Sequence, residues 1–336
     1  ITGENRILAY YGLAQINKNP GIGLKGILNM LESNNYKRMV INDLVFKIGP
    51  RINAAGRINS GRDAVALLIT EDEEEAMQIA ESINQCNDTR KDLDSNITEE
   101  ALSMIDSAPE LKERKSTVLF NPDWHKGVVG IVASRLQAHY YRPTIILTAS
   151  NGKATGSARS VADFNIYQAI EKCSDLLENY GGHMHAAGLT MDIDNVPEFT
   201  RRFEEIVAAT ILQEQLTPVI EIDDELCLED ITQKFYLILK QFQPFGPQNM
   251  TPVFVTKNVT DNGTGRLVGK DREHLKMEVI AHPSDKNPQK HPAIAFKQAK
   301  HLDIISQSAH FDICYSIEEN RFNGKNVLQI KIRDIK

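Results

Sequence analysis

The sequence has little cysteine and no long apolar run. Its four cysteines, Cys86, Cys173, Cys227 and Cys314, are far apart and form no Cys-x-x-Cys pair. That argues against a disulfide framework or a thiolate zinc site and fits a reduced, cytoplasmic protein. No segment approaches the roughly 20 apolar residues that cross a bilayer, so no membrane association is expected. The first residues, Ile1-Thr2-Gly3-Glu4-Asn5-Arg6, have neither the basic nor the apolar region of a signal peptide. They also lack a methionine, which leads us to expect a fragment. His183 and His185 have no neighbouring Asp/Glu pair at ligand spacing, so no metal site is expected within the chain.

Positive charge is also scarce. Lys and Arg total 38 against 45 Asp and Glu, a formal net charge of −7, which argues against a uniformly basic nucleic-acid-binding protein. The deficit is local. Residues 71–100 hold eleven acids against Arg90 and Lys91, a net of −9, so the remaining residues carry +2 and leave room for a nucleic-acid surface. With 336 residues, 41% hydrophobic and 25% charged, the composition is that of a globular chain of two or three domains.

Apolar residues at helical intervals predict helices over Asn5–Asn17 and Leu24–Ser33, separated by Asn19-Pro20-Gly21. From Arg62 to about Ser107 the pattern is strongly helical, and Thr70 with Glu73 reads as a capping box that starts a helix there. Strands at Thr117–Phe120, Thr144–Thr148 and Leu189–Ile193 alternate with helices at Gly127–Tyr140, Ile166–Tyr180 and Pro197–Leu212, which predicts an α/β domain. Beyond Thr217-Pro218 comes a helical stretch, Leu228–Gln241. It is followed by short β-prone runs at Val253–Thr256, Arg266–Val268, Leu275–Ile280, Ala293–Phe296, Phe311–Ile317 and Val327–Ile332, which suit a small all-β barrel. The expected plan is residues 1–60, a helical connector over 61–112, an α/β domain over 113–216 and the barrel over 217–336.

Two runs of small residues are candidate sites. Gly181-Gly182-His183-Met184-His185-Ala186-Ala187-Gly188 leaves a bare backbone whose N–H groups can approach an anion. Gly181-Gly182 reads equally as the C-terminal stop of the helix Ile166–Tyr180. In Gly152-Lys153-Ala154-Thr155-Gly156-Ser157-Ala158-Arg159-Ser160, a guanidinium flanked by hydroxyls suits a phosphate, because the fork binds two oxygens at once. Three longer words accompany them. Gly49-Pro50-Arg51-Ile52-Asn53-Ala54-Ala55-Gly56-Arg57 reads alternatively as a tight helix-packing segment with two solvated arginines. Trp124-His125-Lys126-Gly127-Val128-Val129-Gly130-Ile131-Val132-Ala133-Ser134-Arg135-Leu136 starts where a strand gives way to a helix, a place where free N–H groups often meet anions. His125 itself reads better as a loop histidine. The third word is Tyr141-Arg142-Pro143-Thr144.

In this order, and over nearly the whole chain, these words resemble the RecJ-type single-strand-specific exonucleases of the DHH phosphoesterase superfamily. The resemblance implies a DHH-associated α/β domain followed by an OB-fold. It makes residues 1–60 the tail of the metal-binding DHH domain, whose Asp and Asp-His-His motifs do not occur in this sequence. Mg or Mn is implied for full-length members, and no cofactor for this chain. The resemblance casts His183 as the catalytic contact to the reacting phosphate. Arg51, Arg57, Ser157, Arg159, Ser160, Gly181 and Gly182 become phosphate- and DNA-binding residues. On the OB-fold, Arg266, Lys270, Arg272 and Lys276, with Phe254, Phe296 and Tyr315, are candidate contacts to single-stranded DNA; taken one by one, the aromatics read better as barrel core and the lysines as solvated surface. The expected function is the substrate-binding part of a metal-dependent exonuclease that degrades single-stranded DNA from the 5′ end in recombination and repair. A single-strand-binding protein or a helicase is an expected partner. The alternative is a nucleic-acid-binding module, or an accessory part of a DHH phosphoesterase acting on short oligonucleotides. The Arg51 and Trp124 words together with the barrel favour the exonuclease.

Overall fold

The computed structural model describes residues 1–32, 38–281, 289–306, 310–322 and 325–336. The chain forms two compact units, one of residues 15–219 and one of residues 1–14 with 220–336.

Helices α1 (Gly3–Lys18) and α2 (Ile22–Glu32) open the chain; Ser33, the predicted end of the second, lies outside the described residues. Next, α3 (Ile41–Asp43), a π turn (Leu44–Ile48) and α4 (Gly49–Ile58) follow one another without a break. Pro50 explains the π turn. It has no N–H for the carbonyl four residues back and its ring crowds that carbonyl, so the ladder widens and the Gly49 N–H reaches Leu44 O. Helix α5 (Gly61–Ile69) then leads to α6 (Glu73–Asp106), 34 residues long.

The cap of α6 is Asp72, not Thr70. Asp72 Oδ1 accepts from the amides of Glu74 (2.8 Å) and Glu75 (3.0 Å), while Thr70 caps the end of α5 and its hydroxyl engages Glu75. A carboxylate makes stronger bonds to free helix amides than a hydroxyl does, and its charge suits the positive helix start. On the first half of α6, Ala76, Ala80 and Ile83 are buried; on the second, Ile97, Ala101 and Ile105 join a core with Trp124, Val129, Val132 and Leu136.

The α/β part is a five-stranded sheet of β1 (Thr117–Phe120), β2 (Thr144–Ser150), β3 (Lys153–Arg159), β4 (Asn179–His183) and β5 (Ala186–Met191), in the order β1-β2-β3-β5-β4. The first pair is parallel, joined through α8 (Val129–Tyr140), and the rest are antiparallel. Helices α6 and α8 share a core with one face. On the other, Phe199 and Phe203 of α10 (Val196–Thr210) and Ile166 and Ile170 of α9 (Ile166–Glu171) pack with Ile145, Leu147, Ala158 and Leu189. The Tyr141-Arg142-Pro143-Thr144 word is structural. Arg142 is buried and donates to Leu111 O (2.8 Å), Lys112 O (3.0 Å), Arg114 O and Thr117 Oγ1 (2.8 Å), which satisfies the end of the short helix α7 (Pro109–Glu113).

Two elements differ from expectation. The helix predicted over Ile166–Tyr180 stops at Glu171, and Gly181-Gly182 belongs to β4, whose hairpin with β5 pairs Gly182 with Ala187. Gly182 has φ 151°, and a Cβ there would overlap Ala186 O and Ala187, so it serves strand contact and not a helix stop. Strand β3 was not anticipated, because its small residues give no β-prone signal. It pairs along its whole length with β2, where a Cβ on Gly156 would overlap Ile146 O.

The second unit is a barrel. Its sheet runs β6 (Asp224–Glu225), β7 (Phe254–Asp261), β11 (Phe311–Phe322), β12 (Lys325–Ile335), β10 (His291–Ala295), β9 (His274–Ile280) and β8 (Arg266–Val268), and pairing of β7 with β9 closes it. The β10–β12 pair is parallel, α12 (Leu302–Ser306) lies between β10 and β11, and α11 (Gln233–Lys240) precedes β7. This is an OB-fold. Phe254 and Tyr315 are core residues, 5% and 0% exposed, and so are not stacking platforms. The Tyr315 hydroxyl pairs with Thr256 Oγ1 at 2.8 Å, and burial pushes its pKa up to about 12.

His291 on β10 is buried, which holds its imidazole below the ordinary value, while the facing Glu229 and Leu228 carbonyl pull weakly the other way. The unfolded chain therefore binds this proton more tightly, so the contribution of His291 to stability is level above about pH 6.5 and falls as pH drops below it. Melting curves of the chain between pH 8 and pH 5 should show that fall, and His291→Gln should reduce it.

Candidate functional site

Antiparallel register places the two small-residue runs side by side. Ser157 of β3 is opposite Gly188 of β5, which is opposite Gly181 of β4; in the next row Arg159 is opposite Ala186, which is opposite His183. Registered residues share a face, as the 3.2 Å contact between the Thr155 and Thr190 hydroxyls one row further on shows. Gly130 of α8 lies against Ser157 and Arg159, so this is the face that carries α8. Beyond α8 the strands offer bare backbone: Gly181 and Gly188 are exposed, and a Cβ on either would meet no atom closer than 3.8 Å. The result is an open shelf, with Arg159 and Ser157 at one side and His183 at the other. Two strand spacings separate Arg159 from His183, about 10 Å between Cα atoms.

Around Arg159 the groups are cationic or neutral donors. Its Nε donates to Ser134 Oγ (3.0 Å) and its Nη1 to Ala158 O (2.8 Å). Burial lowers the pKa of this guanidinium, and the charge of Arg57 lowers it further. Arg57 is exposed, and its Nη1 donates to Gly127 O at 3.0 Å in the turn before α8. Among the described residues neither arginine has an Asp or Glu within 4.0 Å. Gly130, in the first turn of α8, lies against the same two side chains, and the N-cap of that helix, Val128, offers no side-chain bond. Two guanidiniums and the Ser157 hydroxyl at a helix start without a carboxylate suit an anion, while the Ser134 hydroxyl is committed to Gly130 O at 3.1 Å.

The other candidates lie apart from this cluster. Arg51 is tied into the helices, with its Nε on Asn84 Oδ1 (2.9 Å) and its Nη1 on Lys47 O (2.8 Å). The Ser160 hydroxyl donates to Phe164 O at 2.6 Å, so its proton is already committed. His125 accepts the Gly127 N–H at its Nδ1 (3.1 Å), as a loop histidine does. His183 Nδ1 accepts the His185 N–H at 3.2 Å, which leaves its Nε2 for a ligand. Gly188 belongs to the run singled out from sequence, whereas Ser134 and Gly130 stood only inside the Trp124 word; their spacing at a helix start is the available signal. On the barrel, Arg266 pairs across strands with Lys276, and Lys270 is exposed in the turn after β8.

Residues 114–209 match the DHHA1 domain family and residues 222–334 the RecJ OB domain family. The chain carries a DHHA1 domain and a RecJ OB domain. It is 32% identical over 333 residues to the single-stranded-DNA-specific exonuclease RecJ of Bacillus subtilis, covering 98% of this chain and 41% of that protein. It is 30% identical over 350 residues to the Escherichia coli protein of the same name, covering 100% of this chain and 58% of that one. The crystal structure of Thermus thermophilus RecJ in complex with Mn2+ superposes with a TM-score of 0.82 at 27% identity, over 99% of this chain and 47% of that one. The chain thus spans about half the length of these RecJ relatives. In this DHHA1 domain the described residues offer no group of three His, Cys, Asp or Glu that could hold a metal ion. In the whole chain no described helix is long and apolar enough to cross a membrane.

The open shelf separates binding from folding. Gly188→Val should leave the melting temperature of the chain within a few degrees, because its side chain enters open space; if the shelf carries a ligand, the same change should weaken oligonucleotide binding about tenfold. Gly156→Ala, which must displace Ile146 O, should instead cost about 1–3 kcal/mol of stability. Thermal melts and fluorescence anisotropy on both variants check the contrast.

Proposed function

We propose that the chain is the substrate-holding part of a single-stranded-DNA exonuclease that works from the 5′ end. The supporting observation is the Arg57–Arg159 pair, two guanidiniums at a helix start with no carboxylate beside them. A terminal phosphate answers that charge. Arg159 and Ser157 hold it, Arg57 and the first turn of α8 approach from the other side, and the sugar that follows lies on the Gly181–Gly188 shelf. His183, across the shelf, meets the next phosphate, the one to be cleaved. Gly182 keeps β4 close to β5 and so sets the height of His183. Arg51 holds α4 in place and supports Arg57 from a distance, and Ser160 fixes the loop behind Arg159. On the barrel, Arg266, Lys270 and Lys276 contribute phosphate contacts of their own.

Thermus thermophilus RecJ has been solved with Mn2+ and with Mg2+. A divalent ion in such an enzyme supplies an activated water and neutralises the leaving oxygen. Among the described residues no ligand set fits such an ion, because His183 and His185 have no carboxylate to complete one. This chain positions the strand, and we assign it no metal ligand.

Binding should therefore occur without cleavage. Incubated with Mg or Mn, the chain should bind a 5′-phosphorylated single-stranded oligonucleotide and leave it intact, and a 5′-hydroxyl oligonucleotide should bind several-fold more weakly. Arg159→Ala should remove that preference for the phosphate. Equal affinity for the two ends, or metal-dependent cleavage by the chain alone, contradicts the assignment.

A further inference from the structure

Ser134 occupies an exposed position in the middle of α8. Helix formation does not call for serine there, since alanine is the better helix former at such a position. Its hydroxyl is used twice: it donates to Gly130 O at 3.1 Å, one turn back, and accepts from Arg159 Nε at 3.0 Å. The first bond aims the second, because a hydroxyl that gives its proton to the helix turns a lone pair outward.

Three contacts then hold the guanidinium of Arg159. Ser134 takes Nε, Ala158 O takes one N–H of Nη1 at 2.8 Å, and Gly130 gives Nη2 its place, since a Cβ there would lie 3.0 Å from Nη2 and 3.2 Å from Ser157 Oγ. A guanidinium has two edges that can take two oxygens at once, one of Nε with Nη2 and one of Nη1 with Nη2. With Nε engaged, the first edge is closed. The second stays open, because Nη2 and the other N–H of Nη1 meet no acceptor among the described residues. A half-buried arginine with one edge closed presents the other in a single orientation, so little side-chain freedom is left to lose when an anion binds.

We propose that Ser134 is a positioning residue that sets the preference for a phosphorylated strand end, by taking Nε of Arg159 and leaving the Nη1–Nη2 edge for two oxygens of the terminal phosphate. This rests on the reading of Arg159 as the strand-end anchor. Ser134 itself donates nothing to the ligand, because its proton is held by Gly130 O.

The test measures, by fluorescence anisotropy on the full chain, the affinity for a single-stranded oligonucleotide with a 5′-phosphate and for the same oligonucleotide with a 5′-hydroxyl. Ser134→Ala should lose most of the several-fold preference expected of the natural chain, through weaker binding of the phosphorylated end alone, with a melting temperature unchanged or slightly raised. Ser134→Thr should keep the preference, because a threonine hydroxyl in a helix can make the same bond to the carbonyl four residues back. In the Arg159→Ala background, Ser134→Ala should change nothing further. A Ser134→Ala chain that retains the preference, or that binds both ends equally more weakly, overturns the positioning role and leaves the strand-end site standing. An undiminished effect of Ser134→Ala in the Arg159→Ala background does the same. No preference in the natural chain overturns the strand-end reading and this role with it.

Discussion

Two carboxylates on α6 hold the segment on which the candidate site depends. Asp94 is fully buried, and its Oδ2 accepts from Arg135 of α8 at 2.7 Å, with Arg90 at 3.6 Å. Its Oδ1 has no hydrogen-bond partner among the described residues, so the two arginines alone offset the desolvation of the charge. Six residues on, Glu100 accepts from Trp124 Nε1 (2.8 Å) and Asn121 Nδ2 (2.7 Å), which pins the turn between β1 and α8. Trp124 in turn accepts at its carbonyl from Thr148 on β2 (2.6 Å). Helix, turn and sheet are thereby fixed relative to one another, and with them the start of α8, the Gly127 carbonyl that Arg57 meets and the Ser134 hydroxyl that Arg159 meets.

Within that frame the chain keeps like charges together. Arg159 is partly desolvated beside Arg57, an arrangement that costs free energy in the empty protein and becomes favourable when an anion enters. The sheet contributes by omission. Glycines in the Ser157–Gly188–Gly181 row cost strand stability, because they pack nothing, and in return they leave a surface that a sugar-phosphate chain can lie on. A site of this kind binds through phosphates and is expected to weaken steeply with salt.

Much of this was legible in the sequence, for identifiable reasons. The order of strands and helices and the barrel came through because their apolar periods are regular, and the five motif words pointed to the right family. The β4–β5 hairpin did not, since Gly181-Gly182 carries the same local signal as a helix end; only its pairing with Ala187 and Gly188 distinguishes the two. Strand β3 was hidden because Gly156, Ser157 and Ala158 have low β propensity, and its partners on both sides decide the matter. Asp72 displaced Thr70 as the cap because both are capping types and local sequence does not rank them. The aromatics could not be sorted by type. Phe254 and Tyr315 point inward and Phe296 outward, a distinction of register that composition does not contain.

A strand-end phosphate either settles between Arg159 and Ser157 or elsewhere. A crystal structure of this chain with a 5′-phosphorylated dinucleotide would locate it directly. The terminal phosphate should lie within hydrogen-bond distance of Arg159 and Ser157 at the start of α8, with the first sugar over Gly188 and the second phosphate toward His183. A terminal phosphate bound elsewhere, with Arg57 and Arg159 left without an anion, would contradict it.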